Sequence, residues 1–482
     1  MPYQRPAFPT AQGAGAYSVG GRGGTIYKVT NLNDSGAGSF REACTASGPR
    51  IVVFDVAGYI DVQDPINIDD PYISIFGQTA PGHGICLRSA GAAYNSHLLR
   101  IRTHNVIIRY IRSCPGPDRG LSSQGIHILH TAGQTDPDRR PHDIIIDHCS
   151  FRWSNDVNLG VWNADWDRWG DNSGRQPIER ITIQWCFLFD PWDDIRKSNS
   201  ARNLNLGGGG VTDCSIHHNL LANARGRNPQ VRGGRHEIVN NLMFNTIVSS
   251  QLGAESAKIG VVPIQINYIG NYEIWGNNSS ANYMVFLGEG GEACDDPDIT
   301  PDYELYVSGN AGQYKAWPFG DEWDIVGCDF GAGSPADARW QVLTPHTIVG
   351  GIPVTTESIF SAYDRILAHG GCKMPTCFGR DKADRRIVNQ VQLHGGFIPG
   401  STMAEVHGWP TLSPGYPQPA DPDGDAVWSW FETANGSNPA VADSDQYDYA
   451  AAGYTQTYTN VEVFENVHDT GDPHVVTHID VN

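Results

Sequence analysis

Six short segments in the middle of the chain share one pattern of apolar and polar positions: NVIIRYIRSC, DIIIDHCSF, RITIQWCFL, DCSIHHNLL, HEIVNNLMF and QINYIGNYE. Each is a run of strand length, rich in β-branched residues, that ends on a small or polar side chain. Taking Ile111, Cys149, Cys186, Asn219, Asn241 and Asn271 as equivalent gives steps of 38, 37, 33, 22 and 30 residues. A shortest step near 22 residues with variable insertions predicts a solenoid. A β-sandwich, the competing layout, would return its strands every ~8–12 residues. One unit of this length cannot bury its apolar face alone. Parallel strands stacked about 4.8 Å apart would bury continuous columns of Ile, Val and Leu. Asn219, Asn241 and Asn271 would then bond coil to coil as an amide ladder.

The insertions between units are too polar and turn-rich for a core. One lies between Asp147 and Gln184 and carries WSNDVNLGVWNADWDRWGDNSGRQP; another lies between Cys186 and His217 and carries DPWDDIRKSNSARNLNLGGGG. Trp153, Trp162, Trp166, Trp169, Trp185 and Trp192 crowd this region. Such rings either stack on sugars or anchor loops, and the sequence leaves both open. Asp147 lies within a strand and is expected to be a structural hydrogen-bonder. Of His217 and His218, one is expected to face in and one out, as packed or stacked side chains.

Composition narrows the partners. Charged residues are 18% of the chain, with 55 glycines and 30 prolines, which suits repetitive β structure with many turns. The net charge of −20 argues against a nucleic-acid partner, which needs a basic footprint. An acidic polymer would be repelled too, except by a local basic cleft or a bridging cation. None of the ten cysteines forms a CxxC pair, so a zinc site is not expected. Cys372 with Cys377, and Cys294 with Cys328, are candidate disulfides; others sit in apolar runs as buried thiols. No run of 18 apolar residues marks a membrane span. The opening MPYQRPAFPTAQG has no apolar signal region, so secretion would rest on a removed signal or another export route.

Several stretches, in order, resemble the pectate lyase superfamily, polysaccharide lyase family 1. They are GGRGGTIYKVTNLNDSGAGSFREA, IVVFDVAGYI, ISIFGQTAPGHGI, IIIDHCSFRWSND and SIHHNLLANARGRNPQVRGGRHEIVNNLMFN, together covering about residues 13 to 271. The resemblance implies an all-β chain, a right-handed parallel β-helix with long flanking loops and a C-terminal extension. It also implies calcium dependence and cleavage of uronate polymers, with polygalacturonate (pectate) the default substrate. The family's Arg-x-Pro-x-x-Arg pattern stands here as Arg227-Asn228-Pro229-Gln230-Val231-Arg232. By that match Arg227 resembles the catalytic base and Arg232 a ligand of the substrate carboxylate. Arginine normally stays charged, so a base role requires neighbouring positive charge to favour its neutral form. Lys197 and Arg225 are further candidate substrate contacts, and Arg235 is a candidate for the groove wall.

Calcium takes six to eight oxygen ligands, so acids on coils beside Arg227 are candidates. Asp156 matches the family's calcium-ligand position. A second acid usual just after it is replaced by Val157, with Asn158 next. Asp118 one coil earlier, and Asp193 and Asp194 one coil later, complete the expected set. β-Elimination is the chemistry implied, giving 4,5-unsaturated products. Two other classes compete. A β-helix hydrolase of polygalacturonan would need ordered NTD, DD, GHG and RIK motifs, but Gly82-His83-Gly84 precedes Asp193-Asp194 here, and NTD and RIK are missing. A tailspike-like glycan binder would not need the spaced arginine pair.

Residues 1–400 are expected to form the β-helix with its caps and wraps, and 401–482 a C-terminal extension. The extension holds Asp421-Pro422-Asp423-Gly424-Asp425, with Glu432 as a distant acid, and reads equally as a degenerate calcium loop or a solvated acidic turn. A secreted monomer acting on an acidic polysaccharide is the expectation.

Overall fold

The computed structural model describes residues 5–442 except 91–95, 118–122, 166–174, 194–199, 209, 254–263, 281, 289–302, 314, 316–319, 329–333, 337, 376–378, 401, 416–420, 426, 428, 430–431 and 434–437. Among the described residues the chain winds through three long parallel sheets. The first has ten strands, from Thr25–Val29 to Tyr303–Ser308; the second has ten, from Ile66–Ile68 to Ser334–Pro335; the third has eight, from Gly58–Val62 to Tyr272–Ile274. Most coils contribute one strand to each sheet, and the pairing is parallel except between the last two strands of the second sheet. Parallel crossovers of this kind are right-handed, because twisted strands pack back onto their sheet only that way. The fold is therefore a right-handed parallel β-helix.

Register explains its stability. In the first sheet, Val52, Ile75, Ile108, Ile146, Ile183, Ile216, Ile238 and Tyr268 pair in an unbroken inward column. All are fully buried, each worth ~1.5–3 kcal/mol of transferred apolar surface. The amide ladder stands at the turn between the first and third sheets. Asn219 Nδ2 donates to Asn241 Oδ1 (3.0 Å), Asn241 Nδ2 to Asn271 Oδ1 (3.0 Å) and Asn271 Nδ2 to Asn310 Oδ1 (3.1 Å). Toward the N-terminus cysteines take over: the Ile111 N–H meets Cys149 Sγ, and the Cys149 N–H meets Cys186 Sγ. Beside it runs a ring stack of Tyr110, His148, Trp185 and His218, all at positive φ.

Three α-helices are fully described. Residues Phe40–Thr45 (α1) bury Phe40, Ala43 and Cys44 over the N-terminal coils. Ile359–His369 (α2) and Lys382–Gln392 (α3) lie on the third sheet, where Ile366, Ile387 and Val391 pack with Phe187, Phe189 and Leu220. Under α3, Arg152 bonds Asp381 (2.6 Å) and Asp384 (2.8 Å), all fully buried. Burial raises the Asp381 carboxyl, but Arg152 and Arg112 outweigh it and hold it at about 2. No described helix is long and apolar enough to cross a membrane.

Several expectations are corrected. Cys372 is a buried free thiol, so it makes no disulfide with Cys377, which lies outside the described residues. Cys328 is disulfide-bonded, and Cys294 lies outside the described residues. Neither His217 nor His218 faces out: both are buried, and His218 pairs with Glu357 of the segment that covers the first sheet. Trp153 and Trp192 are fully buried loop anchors, while Trp166 and Trp169 lie outside the description. Asp147 is structural as expected, bonded by Arg109 (2.8 Å) and Gln184 (2.7 Å).

Candidate active site

The candidate site residues gather at the solvent face of the second sheet. Its central strands are Gln124–His130, Val157–Asn163, Arg202–Gly207, Gln230–Val231 and Ser250–Leu252. Leu159, Leu204, Val231 and Leu252 point into the core, so alternation turns their neighbours outward. Arg227 lies in the turn entering the Gln230–Val231 strand, at φ 59°, before a cis Asn228–Pro229 bond. Its backbone N–H donates to Gln251 Oε1 (2.9 Å), and its carbonyl accepts from the Leu204 N–H (2.9 Å). Arg232 follows the same strand, and its N–H bonds the Leu206 carbonyl (3.0 Å). Both arginines are half-buried.

Asp156 stands one coil before Arg202 and accepts from Arg202 (2.9 Å) and Gln124 Nε2 (2.9 Å). Asp193 is ion-paired to Arg225. The structure thus brings Arg202, Arg225, Arg227, Arg232, Asp156 and Asp193 to adjoining coils of one face. Asp118, Asp194 and Lys197 lie outside the described residues.

Two expected members are elsewhere. Asn158 is fully buried, and its amide is spent on Ser154, the Phe189 carbonyl and Asn203 Oδ1. Asn203 continues to Asn228, so Asn158 begins a second internal ladder and offers no oxygen to a groove cation. Arg235 starts a strand of the first sheet and pairs with Asp213 (2.7 Å), away from the groove wall.

Arg202 was missed by sequence reasoning, although a signal existed. The dipeptide Arg202-Asn203 recurs as Arg227-Asn228, one coil and 25 residues later. The groove floor was also missed. Glycines at 160 and 207 keep it low: a Cβ there would come within 2.8 Å of Gln124 Oε1 and 2.7 Å of the Trp162 ring. On neighbouring strands Gln124 Oε1, Asn205 Oδ1 and Gln230 Oε1 are buried without a hydrogen-bond partner among the described residues. His97 and His127 close one end, their ring nitrogens 3.0 Å apart. Burial, helped by Arg100, pushes His97 down to about 4, and burial, helped by His97, pushes His127 well below the ordinary imidazole value. Both are neutral hydrogen-bonders at neutral pH.

Calcium suits hard oxygen donors, and this face supplies them: the Asp156 and Asp193 carboxylates and the orphaned Gln124 amide oxygen. Among the described residues a further acidic grouping, Asp421, Asp423 and Asp425, brings its carboxylate oxygens within 4.8 Å of one another.

No family model matches the chain. Curated relatives described as probable pectate lyase C do. Those of Aspergillus flavus and Aspergillus oryzae are each 30% identical over 480 residues, spanning 95% of this chain and 93% of theirs. That of Aspergillus terreus is 30% identical over 472 residues, spanning 96% and 95%. The chain belongs to the pectate lyase family. This pectate lyase family member is thereby an enzyme of the polysaccharide lyase class, which removes the hydrolase and the non-catalytic binder as readings. Among solved structures, the cedar pollen allergen jun a 1 is 16% identical over 73% of this chain and 90% of its own, with a TM-score of 0.49.

Proposed function

We propose that the enzyme cleaves polygalacturonate, or a closely related uronate polymer, by β-elimination outside the cell as a single chain. The observation that carries this reading is the gathering of Arg202, Arg225, Arg227 and Arg232 on one face of a chain whose net charge is −20. Arginine forks match carboxylates, so this face selects an acidic sugar chain. Arg232 and Arg202 hold the uronate carboxylates, and the Trp162 ring and the amides of Asn205 and Gln230 meet the sugar faces and hydroxyls.

Arg227 takes the proton from the carbon α to the carboxylate. The C–H electron pair becomes the new carbon–carbon double bond, and the 4-O bond breaks to release the leaving chain. A neutral Arg227 requires neighbouring positive charge, which Arg232 and a bound cation would supply. Asp156 and Asp193, with Gln124, would hold calcium. When bound, that ion neutralises the substrate carboxylate and stabilises charge developing beside it.

The test is an ultraviolet assay for unsaturated product on polygalacturonate, with and without a calcium chelator. Product absorbance that disappears with chelator and returns with added calcium is the expected result. Arg227→Lys is expected to lower kcat by ~10²–10⁴-fold, the usual worth of a positioned base. Absence of absorbance on every uronate polymer sinks the lyase chemistry on this substrate class, and full rate in Arg227→Lys removes the base assignment.

A further inference from the structure

A second basic concavity lies away from the second sheet, between α3 and the segment 403–410. Its volume is about 400 Å3, within the ~300–1,000 Å3 range of small-ligand sites. Lys382, Arg385, Arg386 and His407 line it, and among the described residues no acid does. That lining stands out in a chain with 53 acids and 33 lysines and arginines. Lys382, Arg385 and Asn389 fall on one face of α3 because of the helical repeat, while Ala383, Ile387 and Val391 bury the opposite face on the third sheet. Arg386 gives one nitrogen to Asp190 and leaves Nε without a partner among the described residues. Leu393, 80% exposed, with Val406 and Pro410, adds an apolar patch against which the C–H face of a sugar can rest.

The cleft is coupled to the groove through the backbone. Beyond Gly395 the chain reaches Pro399, whose carbonyl accepts the Asp193 N–H (2.9 Å), and Asp193 pairs with Arg225. Asn223, two residues before Arg225, donates to Gln390 of α3 (3.0 Å).

We propose that this cleft is a second binding site for acidic polysaccharide, holding a carboxylate-bearing stretch of a polymer whose cleavage occurs at Arg227. The proposal rests on the uronate-polymer reading above. Its effect is avidity: a long chain engages both sites, a trimer only the groove.

The test uses the full chain carrying Lys382→Glu and Arg385→Glu, both exposed side chains. The control reverses the same number of charges at Arg22 and Arg339 on other elements. Migration is compared in gels containing polygalacturonate or neutral galactan, beside KM on polymer and on a galacturonate trimer. The cleft variant is expected to lose most of its polygalacturonate retardation and to raise KM on polymer about threefold or more. Its kcat and its KM on the trimer stay at wild-type values, and the control pair behaves as wild type. Retardation equal to the control's, or a wild-type chain held no more by polygalacturonate than by galactan, overturns the proposal. Were polygalacturonate not cleaved at all, the lyase reading would fall while the gel arm still reported on the cleft.

Discussion

Arg227 is held in a backbone conformation that a side-chain-bearing residue adopts at a cost of roughly 1–2 kcal/mol. At φ 59° it needs anchors, and one of them is a side chain, Gln251 Oε1, at 2.9 Å from its N–H. Gln251 also lies against Gly226, where a Cβ would come within 3.1 Å of the same oxygen. Gln251 is therefore a positioning residue for the guanidinium. Gln251→Leu removes the acceptor and is expected to lower kcat about tenfold or more, near 1.4 kcal/mol of barrier, with KM little changed. Gln251→Glu keeps an acceptor oxygen but sets a carboxylate beside Arg227 that favours its charged form, so it is expected to preserve the melt and not the rate. Steady-state kinetics with a thermal melt decide it. A Leu variant that melts early but turns over normally would mark Gln251 as structural alone.

At the scale of the repeat, the ladder makes a sharper statement. Asn241 bonds both neighbouring coils: its Oδ1 accepts from the Asn219 N–H and Nδ2, and its Nδ2 donates to the Ile216 carbonyl and Asn271 Oδ1. Asn241→Ala strands several buried groups at ~1–3 kcal/mol each, so a loss of about 3 kcal/mol or more is expected in urea unfolding. Asn241→Cys is expected to cost less, because Cys149 and Cys186 fill the same position in earlier coils and their sulfurs accept backbone N–H groups. Equal losses in the two variants would refute the equivalence. This element was legible in the sequence because residues Ile111 to Asn271 repeat both a pattern and a place. Asn158 was not, since an amide in a ladder and an amide on a cation are the same letter, and only register separates them. Arg202 was hidden for a related reason: its coil begins inside an insertion, which masked the recurrence of Arg-Asn. The cap was out of reach, because Arg152 and Asp384 meet across 232 residues that no local pattern connects.

For the whole molecule, one buried acid sets a dependence of stability on pH. Glu273 lies in the third sheet with Ser249 and Thr246 bonded to Oε1, and it is 3% exposed. The same loop reaches the active site, since the Ser249 carbonyl accepts the Asn228 N–H (3.0 Å). Burial, which outweighs those hydroxyl donors, pushes the carboxyl from 4.5 up to about 7. The folded chain therefore holds this proton more tightly than the unfolded chain does. Its contribution is fully present below pH 4.5 and is lost as pH rises to about 7, a swing of about 3 kcal/mol. His97 and His236, both lowered to about 4 mainly by burial, act oppositely, losing stability as pH falls from 6.5. Their effect is common to wild type and to Glu273→Gln, an uncharged mimic of the protonated acid, and cancels in the difference between them. The Gln variant is thus expected to match wild type near pH 4 and to exceed it by up to about 3 kcal/mol at pH 8. Urea unfolding at the two pH values measures that difference, and a gap that is the same at both would show that burial does not raise the Glu273 carboxyl in the folded chain.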